Sequence, residues 1–255
     1  IVDRVAGDRV SVWRQPRRVG APSNFTMCVQ QAVGHLVHIL HSDDLVLPSF
    51  YERYGERIEE VEQVAGACAM AAGRCYLVDE DEVIQGERGS AATDRGMLVD
   101  PERTLARHHP FGFVSVVVPR ASYETLGGFD PALVHANDWE MWTRLAALGP
   151  VAVVDEPLSM YRRHPDSDTN RLQRSTAYLR DTLEAVDIIA ERFEDPSEGR
   201  DFRRASRRQW SGRALKVATR ARARGDWANA GANAARAVQL HPRATTVREA
   251  ISVLS

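Results

Sequence analysis

HLVHILHSDD, residues 35–44, runs a compact apolar segment into two adjacent carboxylates, and the class of fold follows from how that join is read. Residues 35–40 have the apolar density of a short buried strand. Before them, residues 24–33 have helix-like content, and Gly34 is placed to cap that helix. After them, Pro48 suits the first turn of a second helix, in which Tyr51, Tyr54, Ile58 and Val61 share one face. Helix, strand, acidic turn and helix form a unit of an α/β sheet. Asp43 and Asp44 then lie beyond the carboxyl end of a strand, where open α/β sheets bind ligands.

The pattern extends outward in both directions. RVSVW (residues 9–13) alternates as a short strand, preceded by residues resembling the end of a helix and followed by the turn-rich QPRRVGAPS. Residues 64–73 read as a buried strand, and RCYLVDEDEVI (74–84) as a strand with an acidic turn. Residues 86–110 read as a loop and a short helix. FGFVSVVVP (111–119) is the strongest buried-strand signal, followed by a short helix closed by Gly127 and Gly128. Residues 138–149 form an amphipathic helix with Trp139, Trp142, Leu145 and Ala146 along one side. VAVVDEPLSMYRRH (151–164) reads as a strand pair turning at Glu156–Pro157.

Strands and helices that alternate to about residue 165 imply an open sheet with helices on its faces. From about Asn170 the chain turns helical: one long helical pattern over 171–193, punctuation at PSEG (196–199), then Ala- and Arg-rich stretches. Residues 214–244 look like one tetratricopeptide-type hairpin with GDW at its turn. The expected division is 1–170 and 171–255.

The chain has 255 residues and a mass of 28.4 kDa, enough to bury a core without metal or disulfide staples. Cys28, Cys68 and Cys75 form no CxxC unit and read as reduced thiols in a cytosolic setting. No apolar run reaches the length of a membrane span, and the opening residues lack the pattern of a signal peptide. The net charge of -2 is neutral on partners, although arginines crowd the C-terminal third. Those arginines are not interleaved with stacking aromatics, which argues against nucleic acid. The basic stretch 200–210 is open to three readings: contact with an anionic membrane surface, subunit contacts, or a solvated face.

Three constellations carry chemistry. In His41-Ser42-Asp43-Asp44, adjacent carboxylates need a cation or several backbone donors, and Mg²⁺ or Mn²⁺ bound to phosphate is a natural partner. The alternative is a helix N-cap. In Asn137-Asp138-Trp139-Glu140, a carboxylate on a loop–helix junction is suited to general-base work, or simply to capping. In Tyr161-Arg162-Arg163-His164, His164 can meet a metal or phosphate and the arginines a diphosphate. A solvated charged loop is the plain alternative.

Taken in order, these pieces resemble the family 2 glycosyltransferases, whose domain is the GT-A fold. VSVWRQPRRVGAPSNFTMCVQQAVGHLVHILHSDDLVLP resembles the family's stretch from its third strand through the DXD motif. FVSVVVPRASYETLGGFDPAL resembles the acceptor-side strand and GGFD turn, NDWEMWTRLAALG the ED helix, and VVDEPLSMYRRHPDS the closing YRxH segment. The match runs over roughly residues 8–168. It implies a GT-A-like open mixed sheet flanked by helices, N-terminally truncated, with an all-helical C-terminal extension. The family's nucleotide-reading first strands have no counterpart here, and the expectation is that such residues precede this sequence.

The resemblance also implies inverting transfer from a nucleoside-diphosphate sugar, aided by Mn²⁺ or Mg²⁺, to a hydroxyl of a glycan, lipid-linked or small-molecule acceptor. The DXD motif falls on His41-Ser42-Asp43, so histidine replaces its first carboxylate. Asp43 and His164 are the implied metal ligands. His41, Asp43, Asp44, Arg162, Arg163 and His164 would hold the donor, and Asp138 would be the base. Gly112, Phe113 and Trp139 are candidates for shaping the acceptor site, and His108 and His109 for an acceptor loop. The implied setting is cytoplasmic or peripheral at the inner membrane face, in glycan or polysaccharide assembly of the cell envelope, with a homo-oligomer open. Two rivals stand beside this reading. A nucleotidyltransferase would carry a Gly-rich, Lys-bearing phosphate loop that is not in the sequence. The other rival is a non-catalytic scaffold whose helical tail binds proteins.

Overall fold

A computed structural model describes residues 10–107, 109–165 and 167–254. The parts of the expected first helix and strand on residues 1–9, and His108 of the expected acceptor loop, lie outside the described residues.

Among the described residues, eight strands form one open mixed sheet: β1 (Leu36–His38), β2 (Leu45–Val46), β3 (Met70–Val78), β4 (Ile84–Arg88), β5 (Thr93–Asp94), β6 (Met97–Leu98), β7 (Val116–Pro119) and β8 (Val151–Arg162). The main order is β1-β7-β3-β8-β6-β5, with β2 added on β8 and β4 on β3. β3 and β8 run parallel, and every other pairing is antiparallel.

Strand side chains alternate between faces, and the core divides accordingly. Ala71, Val117, Ala152 and Val154 point to one face and pack under α2 (Phe50–Ala65) through Phe50, Tyr54, Ile58 and Val61. Met70, Ala72, Val116, Val118, Val151 and Val153 point to the other. There they meet Leu105 of α3 (Pro101–Arg107), Tyr123 of α4 (Arg120–Leu126) and Met141, Trp142 and Leu145 of α5 (Asn137–Ala146). Phe25 and Val29 of α1 (Ala21–Gln31) close that side.

Several elements differ from the sequence expectation. Residues 10–13 form no strand; Val10, Val12 and Trp13 stay exposed, so no buried face holds them extended. Helix α1 starts earlier, because Pro22 is pre-set for a first turn, and it ends at Ala32, which turns extended before Gly34. In α2 the buried position is Phe50 and Tyr51 faces out; Ser49, rather than Pro48, precedes the first turn. Val64 belongs to α2, so β3 begins only at Met70. Residues 111–115 include a 3₁₀ turn, and the strand starts at Val116. The expected turn at Glu156–Pro157 lies inside the single long strand β8: Val154 pairs with Gly73 and Pro157 with Arg74, so Asp155 and Glu156 bulge out of register.

The C-terminal residues form α6 (Asp168–Arg174), α7 (Ala177–Ala190), α8 (Pro196–Ala223), α9 (Trp227–Leu240) and α10 (Ala244–Leu254). The expected helix over 171–193 breaks at Thr176, which adopts a left-handed backbone. PSEG starts a helix instead of punctuating one: Asp195 caps it and Pro196 opens it. Helices α8 and α9 meet through small residues, Ala214, Ala218, Ala234 and Ala237, across a turn at Gly225. The helices also share a core with the sheet region, since Ala185, Val186, Ile189 and Phe202 pack on Leu133, Ala136 and Trp139.

Tyr54 donates its hydroxyl to the Ser115 carbonyl at 2.9 Å, directly over Gly73. A Cβ at Gly73 would stand 2.3 Å from that hydroxyl and 2.8 Å from the Val154 carbonyl. Gly73→Ala is expected to lower unfolding free energy by about 1–3 kcal/mol, read by urea denaturation; an unchanged midpoint would show that the sheet–helix contact yields freely.

Candidate functional site

β1 delivers the chain to a turn at residues 41–44, closed by the Asp44 amide donating to the His41 carbonyl at 3.3 Å. β2 then pairs with Ser159 and Met160 of β8, which brings the end of β8 beside the turn. The Arg162 amide donates to Asp44 Oδ1 at 2.9 Å, and the Arg162 Nε donates to the Asp43 carbonyl at 2.9 Å. His164 Nε2 lies 3.0 Å from Asp43 Oδ2. Residues remote in sequence therefore converge on one acidic turn.

One ligand atom each from His41, Asp43 and Asp44 lies within 4.8 Å of the others. His41 is held between Phe25, stacked at 5.2 Å between ring centroids, and Phe113 at 4.6 Å. Burial there lowers the imidazole pKa against the pull of Asp43 and Asp138, favouring the neutral form that ligates metals. Asp44 is almost fully buried. Burial pushes its carboxyl up to about 7, the Arg162 amide opposes the rise, and the Asp43 charge adds to it. Asp44 Oδ2 and His41 Nε2 are buried without a hydrogen-bond partner, and His41 Nδ1 stands 3.7 Å from Asp44 Oδ2, within ion-pair but not hydrogen-bond range. A buried carboxylate oxygen without a hydrogen bond and an imidazole, beside a second carboxylate, fit a divalent cation.

Asp138 stands in the first turn of α5. His109 Nε2 is 2.9 Å from Asp138 Oδ2, and the Trp139 amide donates to Oδ1 at 2.7 Å. Burial alone would raise the Asp138 pKa. The His109 contact, the Arg88 charge and the Trp139 amide outweigh it and hold the carboxyl well below its ordinary range. The pair stays within electrostatic reach of the metal-type cluster, since the Asp138 charge acts on both His41 and Tyr161.

The C-terminal helices fix this turn. Asp181 of α7 accepts the amides of Val134, His135 and Ala136 at 2.6, 2.7 and 2.7 Å. Glu140 is buried between Arg144, 2.8 Å away, and Arg192 beyond α7. Arg144 also donates to the carbonyls of Leu126 and Gly128 at 3.0 and 2.8 Å, tying down the GGFD turn.

The predicted residues fall into distinct places. His41, Asp43, Asp44 and His164 come together, and Asp138 sits in a neighbouring site. The Arg162 guanidinium is engaged with the carbonyls of Asp43 and Glu80 and with Glu82, which leaves it a scaffold for the turn. Arg163 is exposed. Phe113 belongs to the aromatic shell of His41. Trp139 is core: its indole donates to the Leu105 carbonyl at 2.8 Å, and its ring faces Phe202 and Trp210. Sequence reading missed Asp181 and Arg192, single charges on a helical tail with no motif around them. It placed His109 in an acceptor loop without linking it to Asp138. Among the described residues, no helix is long and apolar enough to cross a membrane.

No family model matches the chain. It is similar to the uncharacterized protein MT1568 of Mycobacterium tuberculosis, with 26% identity over 215 residues, covering 80% of this chain and 64% of that protein. The chain thus spans less than two thirds of the length of the curated relative it matches.

Proposed function

We propose that this chain is a metal-dependent, inverting glycosyltransferase of the family 2 type, using a nucleoside-diphosphate sugar and a hydroxyl-bearing acceptor. The observation that carries the reading is the His41–Asp43–Asp44 cluster beyond β1, with His164 beside Asp43 and Asp138 within electrostatic reach. In this reading residues 1–170 are the transferase unit and 171–255 a helical region that braces it. The setting is cytoplasmic, and the acceptor is a glycan, lipid-linked or small molecule.

His41, Asp43 and Asp44 would hold Mn²⁺ or Mg²⁺, with His164 orienting Asp43 or joining the ligands. Such an ion, when bound, neutralises donor phosphate charge. His164 and Arg163 are the nearby side chains to offset the charge that grows on the leaving diphosphate. The acceptor hydroxyl gives its proton to Asp138 as its oxygen bonds to the anomeric carbon. The bond from that carbon to the diphosphate oxygen breaks on the opposite face, which inverts the centre. Asp138 is ionised across the neutral range but weakly basic alone. His109 holds its carboxylate in place and stabilises the ionised form.

Calorimetry with UDP-, GDP- and dTDP-sugars, with and without Mn²⁺, tests the reading: one donor binds in the presence of metal, and Asp43→Ala loses that binding. Absence of binding by all three sinks it. Asp138→Asn is expected to keep donor affinity and lower turnover by about 10²–10⁴-fold, measured as donor consumption with acceptor present. Because protonation of Asp44 competes with metal, Mn²⁺ affinity should fall as pH drops through about 7. The expected change is about tenfold between about pH 8 and about pH 6; a flat profile would remove Asp44 from the ligand set.

A further inference from the structure

Beside the Asp138–His109 pair lies an open cavity of ≈ 430 Å³, whose wall includes Arg88, Ser90, His109 and, from α8, Arg213. That volume suits a small ligand or one end of a larger one. Arg88 donates to the backbone carbonyls of Pro110 and His109, at 2.9 and 3.1 Å, and has no carboxylate in ion-pair contact among the described residues. Arg213 rests its guanidinium 4.5 Å over the Trp210 ring and likewise has no carboxylate in contact among the described residues. The one acidic residue on the wall, Glu87, is already paired with Arg74. Crowding by protein atoms and the Arg88 charge both push the Arg213 pKa down, so the two cations act on each other across the cavity. His109 adds a buried Nδ1 without a partner.

Two guanidiniums that repel each other and have no carboxylate in ion-pair contact among the described residues, Asp138 acting on Arg88 only at longer range, form a site for an anion with several oxygens, as a phosphate offers. The sheet supplies one arginine and the helical tail the other, so the cavity needs both parts of the chain.

We propose that this cavity is the acceptor subsite and that the acceptor carries a phosphate group, bound between Arg88 and Arg213, near the hydroxyl that Asp138 deprotonates. The inference rests on the glycosyltransferase reading for the word acceptor. The anion site itself rests on the cavity and its arginines.

The test is calorimetry on the whole chain in EDTA, so that no metal draws anions to the acidic turn. The probes are glycerol 3-phosphate, glycerol, glucuronate, and vesicles with and without phosphatidic acid. The expected result is binding of glycerol 3-phosphate or of the phosphatidic acid vesicles, which tells a soluble carrier from a lipid one, and none of glycerol. Arg213→Gln should weaken it at least about tenfold, as for loss of a charge-assisted hydrogen bond. Arg213→Lys should recover part of it, and Asp43→Ala should leave it unchanged. Equal affinity for glucuronate, no binding of either phosphate probe, or no effect of Arg213→Gln would overturn the proposal. Arg213-dependent binding in a protein that binds no sugar nucleotide with Mn²⁺ would overturn the acceptor assignment and the glycosyltransferase reading, while leaving an anion site.

Discussion

The parallel pairing of β3 with β8 is the constraint on which the rest of the structure depends. It sets the two faces of the sheet, one for α2 and one for α3 to α5, and buries both. A parallel pair covered on two sides tolerates little slippage, because a shift of one residue would exchange every inward side chain. The register matters for chemistry as much as for packing. At its far end it sets Arg162 where its amide meets Asp44, and places His164 beside Asp43. The bulge at Asp155–Glu156 takes up the irregular register on the way.

The acidic turn is an expensive arrangement in the absence of a cation. Asp44 is buried with one oxygen satisfied by an amide and the other without a hydrogen bond, 3.7 Å from the aromatic-packed His41 imidazole and beside a second carboxylate. Unpaired buried polar groups are rare because each forfeits its hydration. Their coincidence at one point distinguishes this turn from a plain helix cap. It is also not one: the N-cap position of the following helix is Ser49, five residues beyond Asp44 in the chain, and no side chain makes a capping bond there.

The helical tail has a structural claim on the Asp138 site. Three successive amides before α5 would be unsatisfied without the Asp181 carboxylate, and Glu140 would be a bare buried charge without Arg144 and Arg192. Breaking a buried ion pair by removing one partner is costly, so the tail and the sheet region are coupled through the turn that presents Asp138. The shared core of Trp139 with Phe202 and Ile189 points the same way.

The open sheet, the acidic turn and the helical tail were legible in the sequence, because apolar density, a carboxylate pair and Ala-rich periodicity are local signals. The strands at residues 36–38 and 116–119, the helix around Asp138 and the turn at Gly225 all follow from such signals. Boundaries were less legible. Val64 continues a helix, and Glu156–Pro157 bends a strand without ending it, because packing and pairing partners override the local preference. Which residues meet was not legible at all. Nothing near Asp138 in the chain names His109 or Asp181 as its supports, and nothing near Arg88 names Arg213. The sequence by itself determined the kinds of group available and the elements carrying them. Only the tertiary structure decided which charges are paired, which are buried and which are left unanswered, because those depend on distances across the fold that no local pattern contains.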